Sequence, residues 1–240
     1  MLEKFLIGVV TKDRYNCLDI LTTSLQKSNG FKLLIDASDD VNYSLHKFYN
    51  ESYHNLTPET RPIVFNKNGI IRFFLQTDYD YLFIIEDDVK ILDPYIFEEY
   101  ISVSKEFHIP HMNYAIPNDN GVVYDFSGKV KVSDKLFGCF QFFTRECLER
   151  VGLMNEDLCH NCWEHIEHTY RIHKEFKFKP VWWHFPDYKF SESSIFYQKG
   201  CGSSINRLTD VQLKNKRVMF KALGIPRFPI LKTVPLKILP

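Results

Sequence analysis

The sequence predicts an α/β fold with a mostly parallel central sheet flanked by helices and an irregular second half. Three observations carry that prediction. The order strand, helix, strand recurs over residues 5–35, with polar or acidic residues where each strand ends. The run Tyr81-Leu82-Phe83-Ile84-Ile85 is continuously apolar and bounded by acids, as a strand buried on both faces of a parallel sheet would be. Bulk composition agrees: 240 residues, 45% hydrophobic and 25% charged, with 30 basic and 30 acidic side chains, supply the core of one domain and exclude a disordered, collagen-like or coiled-coil chain.

The elements follow in order. Residues 5–10 (FLIGVV) form a short apolar strand closed by the polar Thr11, Lys12, Asp13 and Arg14. Leu18, Leu21 and Leu25 then recur at helical spacing and predict a helix over 15–27, stopped by Asn29-Gly30. A second strand, 31–35, runs into Asp36-Ala37-Ser38-Asp39-Asp40. Residues 42–60 read as loop with some helix. Ile63 to Phe65 read as a third strand, Asn66-Lys67-Asn68-Gly69 as a turn, and 70–77 as a helix. Asp93-Pro94 suits a helix start, with Asp as N-cap and Pro in the first position, for a helix reaching Phe107.

Residues 112–116 and 122–132 look extended, with turns at 117–121 and at Ser127-Gly128. Thr144 can cap a helix ended by Gly152. A helix over 163–174 and a strand over 178–183 complete the reading. The sheet-building half is expected to end near residue 110. The division this suggests is one domain over 1–210, with halves 1–110 and 111–210, and a tail over 211–240.

That tail hides behind the zero net charge. After Asp210 come Lys214, Lys216, Arg217, Lys221, Arg227, Lys232 and Lys237 and no acid. A basic, proline-punctuated segment suits an anionic partner or a membrane surface, and equally a solvated arm along its own domain. No stretch approaches the roughly 18 uncharged apolar residues of a membrane span, and the N-terminus lacks a signal-peptide pattern. Six cysteines do not make a dense disulfide framework, so the expectation is a cytoplasmic chain with free thiols.

Chemistry concentrates at the strand ends, where open parallel sheets bind ligands. Glu86, Asp87 and Asp88 are adjacent carboxylates after a buried strand, and they repel unless something positive lies among them. A hard cation, Mg²⁺ or Mn²⁺, held by carboxylate oxygens and a diphosphate would relieve this. A solvated acidic turn, or a cap for the following helix, is the competing structural reading.

These residues, in this order, resemble the GT-A fold of nucleotide-sugar glycosyltransferases, most of all the family 2 group. By that resemblance Thr11, Lys12, Asp13 and Arg14 contact the nucleotide and Asp36 binds the base. Asn68 belongs to the Asn/Gly-rich turn, and Glu86-Asp87-Asp88 takes the place of the D-x-D metal motif, with Asp88 the foremost metal ligand and Asp87 near the nucleotide sugar. Gly138 to Phe143, the helix ending at Val151-Gly152, and Trp163-Glu164-His165-Ile166-Glu167 resemble the family's later motifs. The family's usual Asp after Glu is His165 here, so Glu164, Glu167 and His165 all stand as candidates for the base that deprotonates the acceptor. His184 matches a His that ligates metal or touches the diphosphate. Glu164 and Glu167 could also be plain helix acids, and His184 a packed residue beside Trp182 and Trp183.

The resemblance implies transfer from a nucleotide-diphosphate sugar, expected to be a UDP-sugar, with Mn²⁺ or Mg²⁺ and inversion at the anomeric carbon. The acceptor stays open among a glycan, a lipid-linked sugar, a protein and a modified DNA base. Two alternatives remain. Cys159, Cys162, His165 and His168 are all acceptable zinc ligands, as in a zinc-stabilised module binding nucleic acid or a partner, although three-residue steps on a helix turn the first and fourth to opposite faces. A nucleotidyltransferase would share the fold but usually has a Gly-rich, Arg-containing first loop, which Thr11 to Arg14 is not. The chain contains no G-x-S-x-G, P-loop or G-x-G-x-x-G pattern.

Overall fold

The computed structural model describes residues 4–12, 14–36, 53–55, 63–114, 122–126, 130–133, 137–157, 164–177, 185–188 and 195–197. Strand β1 (Phe5–Thr11) leads into α1 (Tyr15–Leu25), then β2 (Phe31–Asp36) and β3 (Tyr53–Asn55). Helix α2 (Ile63–Leu75), β4 (Tyr81–Glu86), β5 (Val89–Ile91) and α3 (Ile96–Phe107) follow. The remainder comprises β6 (His111–Tyr114), β7 (Val122–Phe126), β8 (Val130–Ser133), β9 (Phe137–Thr144), α4 (Arg145–Val151), α5 (Glu164–Glu175), β10 (Phe185–Tyr188) and β11 (Ile195–Tyr197).

Among the described residues one nine-stranded sheet has the order β3-β2-β1-β4-β9-β6-β10-β8-β7. The strands β3, β2, β1 and β4 run parallel. Strand β9 is antiparallel to both its neighbours, β4 and β6. The sheet therefore continues past residue 110, where the sequence reading ended its sheet-building half. Strand β9 was legible only as an aromatic run, yet it sits mid-sheet, with Phe140, Phe142 and Phe143 buried and Gln141 bonded to Asn113.

Alternation along the strands divides the core into two layers. Phe5, Ile7, Val9, Phe83 and Ile85 face α1 and α3, where Leu18, Leu21, Phe97 and Tyr100 meet them. Leu6, Val10, Leu82 and Ile84 face α2, α4 and α5, meeting Val64, Ile71, Phe74, Leu148 and Ile172. Aromatic rings fill much of the first layer. Phe83 lies edge-on to Phe97 at 4.9 Å between centroids, and tilted against Phe142 at 5.1 Å. The high aromatic content is thus largely core in the described region; Trp163, Trp182 and Trp183 lie outside it. Gly8 lets α2 approach β1 closely, since a Cβ there would fall inside the Ile70 side chain.

Several elements differ from the sequence reading. Ile63 to Phe65 is not a strand and Asn66 to Gly69 not a turn: both belong to α2, whose buried residues Val64, Lys67, Asn68, Ile71 and Phe74 recur at helical spacing. The breakers are overridden because Lys67 and Asn68 have buried partners, described below. Helix α3 begins at Ile96 rather than Pro94, and the Asp93 carboxylate accepts from the Tyr95 amide at 2.9 Å. Thr144 does cap α4, accepting from the Cys147 amide at 3.2 Å, and Gly152 ends it at φ 76°. The predicted strand at 178–183 lies outside the described residues.

Cys17 is disulfide-bonded, against the expectation of free thiols. It is buried on α1, which packs beside β5, and β5 in turn pairs with β11. Cys139 and Cys147 are buried thiols. No helix among the described residues is long and apolar enough to cross a membrane.

A buried polar cluster crosses the second core layer. The His111 ring stacks on Phe143 at 4.4 Å. Its Nδ1 meets the Phe142 carbonyl at 2.7 Å, so Nδ1–H donates and Nε2 accepts from Thr169 at 2.8 Å and Asn113 at 3.1 Å. Burial lowers the pKa of both His111 and His168 to about 3. The unfolded chain protonates them below about pH 6.5, whereas the folded chain keeps them neutral. Their contribution to stability is therefore complete above about pH 6.5 and shrinks as pH falls, by up to about 1.4 kcal/mol per pH unit for each ring. Urea midpoints at pH 7.5 and 5.0 should show a smaller acid loss in His168→Gln than in the parent chain; equal losses would contradict the burial argument.

Candidate active site

Strands β1 and β4 are parallel neighbours with Val10 opposite Glu86, so Thr11 and the acidic triplet emerge at one end of the sheet. Thr11 Oγ1 donates to Asp87 Oδ2 at 2.6 Å. Arg14, at the start of α1, forms an ion pair with Asp87 and reaches Asp88 at 3.4 Å. Asp87 is fully buried, and burial pushes its carboxyl up to about 7 even though Arg14 and Thr11 pull it down. Burial would lower the Arg14 pKa, but Asp87 and Asp88 raise it. The cation the sequence demanded beside the triplet is therefore supplied in part by the protein itself.

Glu86 points to the opposite layer. Its carboxylate accepts from Lys67 of α2 at 2.7 Å, and the same ammonium donates to Glu164 Oε1, at the start of α5, at 3.1 Å. Lys67 is wholly buried. Burial would lower its pKa, yet the two carboxylates raise it above the ordinary lysine value. Burial would raise that of Glu164, yet Lys67 and then His165 hold it far below the usual carboxylate range. His165 Nδ1 lies 3.2 Å from Glu164 Oε1. Glu164 Oε2 is buried and has no hydrogen-bond partner among the described residues. Gly138 makes room for the imidazole: a Cβ there would stand 2.8 Å from His165 Cγ.

The structure thus brings together Thr11, Arg14, Glu86, Asp87, Asp88, Glu164 and His165. It directs others elsewhere. Asn68 is not on a nucleotide-facing turn: its amide donates to the Met154 carbonyl at 2.9 Å and Glu156 at 3.0 Å, and it accepts from the Met154 amide at 2.8 Å. Glu167 pairs with Arg171 one turn along α5 at 2.6 Å, while Arg171 also holds the Val151 and Leu153 carbonyls. Glu86 is occupied by Lys67 rather than turned towards Asp88. Lys12 is exposed, and Asp36 ends β2 in register with Thr11. Asp13 and His184 lie outside the described residues. So do Cys159 and Cys162 of the zinc alternative; its remaining pair diverges, with His168 on the Gly152 carbonyl at 2.8 Å and His165 on Glu164. Among the described residues no three His, Cys, Asp or Glu side chains cluster as a metal site.

The fold built around the parallel β3-β2-β1-β4 block is found in solved structures. S. aureus TarS 1–349 superposes with a TM-score of 0.54 at 15% identity, covering 72% of this chain and 56% of that one. The chain has the GT-A fold. The same TarS fragment in complex with UDP gives a TM-score of 0.53 at 14% identity, over 70% of this chain and 55% of the other. The mannosyltransferase PcManGT from Pyrobaculum calidifontis, in complex with GDP-Man and Mn²⁺, gives 0.55 at 12% identity, over 72% and 52%. The chain spans about half the length of these neighbours. No protein-family model and no curated protein sequence matches it.

Lys67 carried no signal in the sequence, since it lay in a predicted turn. Helical spacing from Val64 to Ile71 could have placed it on the buried face. Two substitutions check the geometry. Gly138→Ala should cost about 1–3 kcal/mol through the His165 clash, and adding His165→Ala should restore most of the loss in a denaturant melt. Asn68→Ala should lower stability by a similar amount by orphaning buried partners while leaving nucleotide affinity unchanged in a titration; a selective loss of affinity would restore Asn68 to the nucleotide.

Proposed function

We propose that the chain transfers a sugar from a nucleotide-diphosphate sugar, a UDP-sugar in the first instance, to an acceptor hydroxyl with inversion. The observation that carries this reading is the buried, ionised Glu164, with one oxygen unpartnered among the described residues, held beside the acidic end of β4. A carboxylate oxygen buried without a donor is costly, and an acceptor hydroxyl is the donor that completes it. The fold supports the reading, as do the UDP complex of TarS and the GDP-Man and Mn²⁺ complex of PcManGT.

Each residue then has a task. Asp36, at the end of β2, serves the base of the nucleotide. Thr11 and Arg14, with Lys12 and Asp13 beside them, serve the ribose and phosphates, and Arg14 adds positive charge where the diphosphate leaves. Asp87 orients Arg14 and Thr11. Asp88 is the residue to hold Mn²⁺ or Mg²⁺, because a carboxylate oxygen donor suits a hard cation. Such an ion would neutralise the charge developing on the diphosphate. His184 is retained as a second candidate ligand.

Glu164 Oε2 takes the proton of the acceptor hydroxyl. The acceptor oxygen bonds to the anomeric carbon as the bond from that carbon to the diphosphate oxygen breaks, and the nucleoside diphosphate departs with the electron pair. One displacement inverts the centre. Glu164 stays ionised at neutral pH and receives the proton late, as the hydroxyl acidifies with bond formation. His165 orients it. Residues 111–210 supply the acceptor side, with a glycan, lipid-linked sugar, protein or modified DNA base to be distinguished by an acceptor screen.

The test is nucleoside diphosphate release from UDP-sugars and GDP-mannose in Mn²⁺, with and without acceptors. Asp88→Ala should remove turnover with an unchanged melting temperature. Glu164→Gln should lower kcat by about 10²–10⁴, whereas Glu167→Gln should chiefly lower stability. A folded parent chain that releases no nucleotide from any donor refutes the assignment.

A further inference from the structure

The acidic motif and the proposed base come from distant parts of the chain, and one side chain joins them. Lys67 is completely enclosed, and its ammonium stands 2.7 Å from Glu86 and 3.1 Å from Glu164. Among the described residues, those two carboxylates are its ion-pair partners. Enclosing an ammonium between carboxylates is not the economical way to fill this space, since well-packed apolar side chains of similar volume are often at least as stabilising as a buried ion pair. A residue kept there is better explained by what it orders.

Glu164 has two oxygens, and Lys67 and His165 both approach Oε1. The other, Oε2, is buried and without a partner among the described residues. The arrangement fixes the plane of the carboxylate, because a quarter-turn would break both bonds to Oε1 while a half-turn only exchanges two equivalent oxygens. We propose that Lys67 is the positioning residue for the base: by sharing its ammonium between Glu86 and Glu164 it presents Glu164 Oε2 to the acceptor hydroxyl and sets its place relative to the strand end that receives the donor. The proposal rests on the glycosyl-transfer reading and deepens it. Lys67 touches no substrate; it acts through Glu164.

Three features make this specific to geometry. Lysine has three donors on one nitrogen, so a single atom can hold carboxylates from two elements. Glu86 reaches it because alternation along β4 turns Glu86 to the α2 layer, away from Asp87 and Arg14. Glu164 reaches it because it is the first residue of α5. An arginine at 67 could span both carboxylates with its planar fork, but at altered distances.

The experiment measures donor hydrolysis, with UDP-glucose, UDP-galactose, UDP-N-acetylglucosamine and GDP-mannose in Mn²⁺, for Lys67→Met and Lys67→Arg. Lys67→Met should lower kcat at least about 100-fold with the donor KM within about threefold, and Lys67→Arg should recover part of kcat. In a Glu164→Gln background, Lys67→Met should add little further loss, since both act through one group. Thermal melts accompany every variant; if Lys67→Met does not fold, Lys67→Arg and the Glu86→Gln chain carry the same comparison. Losses that multiply across the two sites, or a folded Lys67→Met chain with parental kcat, overturn the positioning role alone. A parent chain without turnover on any donor overturns the glycosyl-transfer reading and this proposal with it.

Discussion

Three consecutive carboxylates at the end of a fully buried strand impose the constraint around which the rest is arranged. Their mutual repulsion grows as water is withdrawn, and the structure answers each acid separately. Glu86 goes to Lys67, Asp87 to Arg14 and Thr11, and Asp88 to the outer reach of Arg14. Those cations sit on helices of opposite layers, α1 and α2. The charges of one strand end thus fix how both helical layers meet the sheet, in addition to the apolar packing that binds them to it.

Adjacent residues on α2 then divide the work of building the other wall. Lys67 holds the first residue of α5, while Asn68 holds Met154 and Glu156 in the segment after α4. Arg171 reaches back from α5 to the carbonyls of Val151 and Leu153. Each of these bonds is modest on its own, roughly 1 kcal/mol for a neutral pair and more where charge is involved. Together they pin the segment between α4 and α5 from both sides. His165 is thereby delivered over Gly138, where the missing Cβ leaves room for its ring.

Much of this was legible beforehand, and the physical reason differs by element. The strands β1, β2 and β4 announced themselves because strands buried on both faces must be apolar throughout. Thr144 and Gly152 announced α4 because caps act over only a few residues. Helix α2 was hidden because Asn66, Asn68 and Gly69 are turn formers by local preference, and the bonds that override that preference come from residues 86 positions away. Strand β9 was hidden because its partners, β4 and β6, are set by topology rather than by neighbouring sequence. Among site residues, the acidic triplet and Glu164 stood out by type and order. The assignment of Glu167 to Arg171, and of Glu86 to Lys67, depended on side-chain direction, which a sequence pattern does not encode.

The central position of β9 has a consequence for how the chain comes to be folded. During synthesis β4 emerges about 55–60 residues before the strand that covers its free edge, a separation that makes the pairing slow to form. Until then an apolar strand presents unpaired amides and carbonyls, the kind of edge that recruits other chains. Both core layers also wait, since Phe140 and Phe142 complete one and Phe143 the other. The parallel strands β1, β2 and β4 therefore have no finished interior without β9. Both core layers are complete only with residues 137–144 in the middle of the sheet.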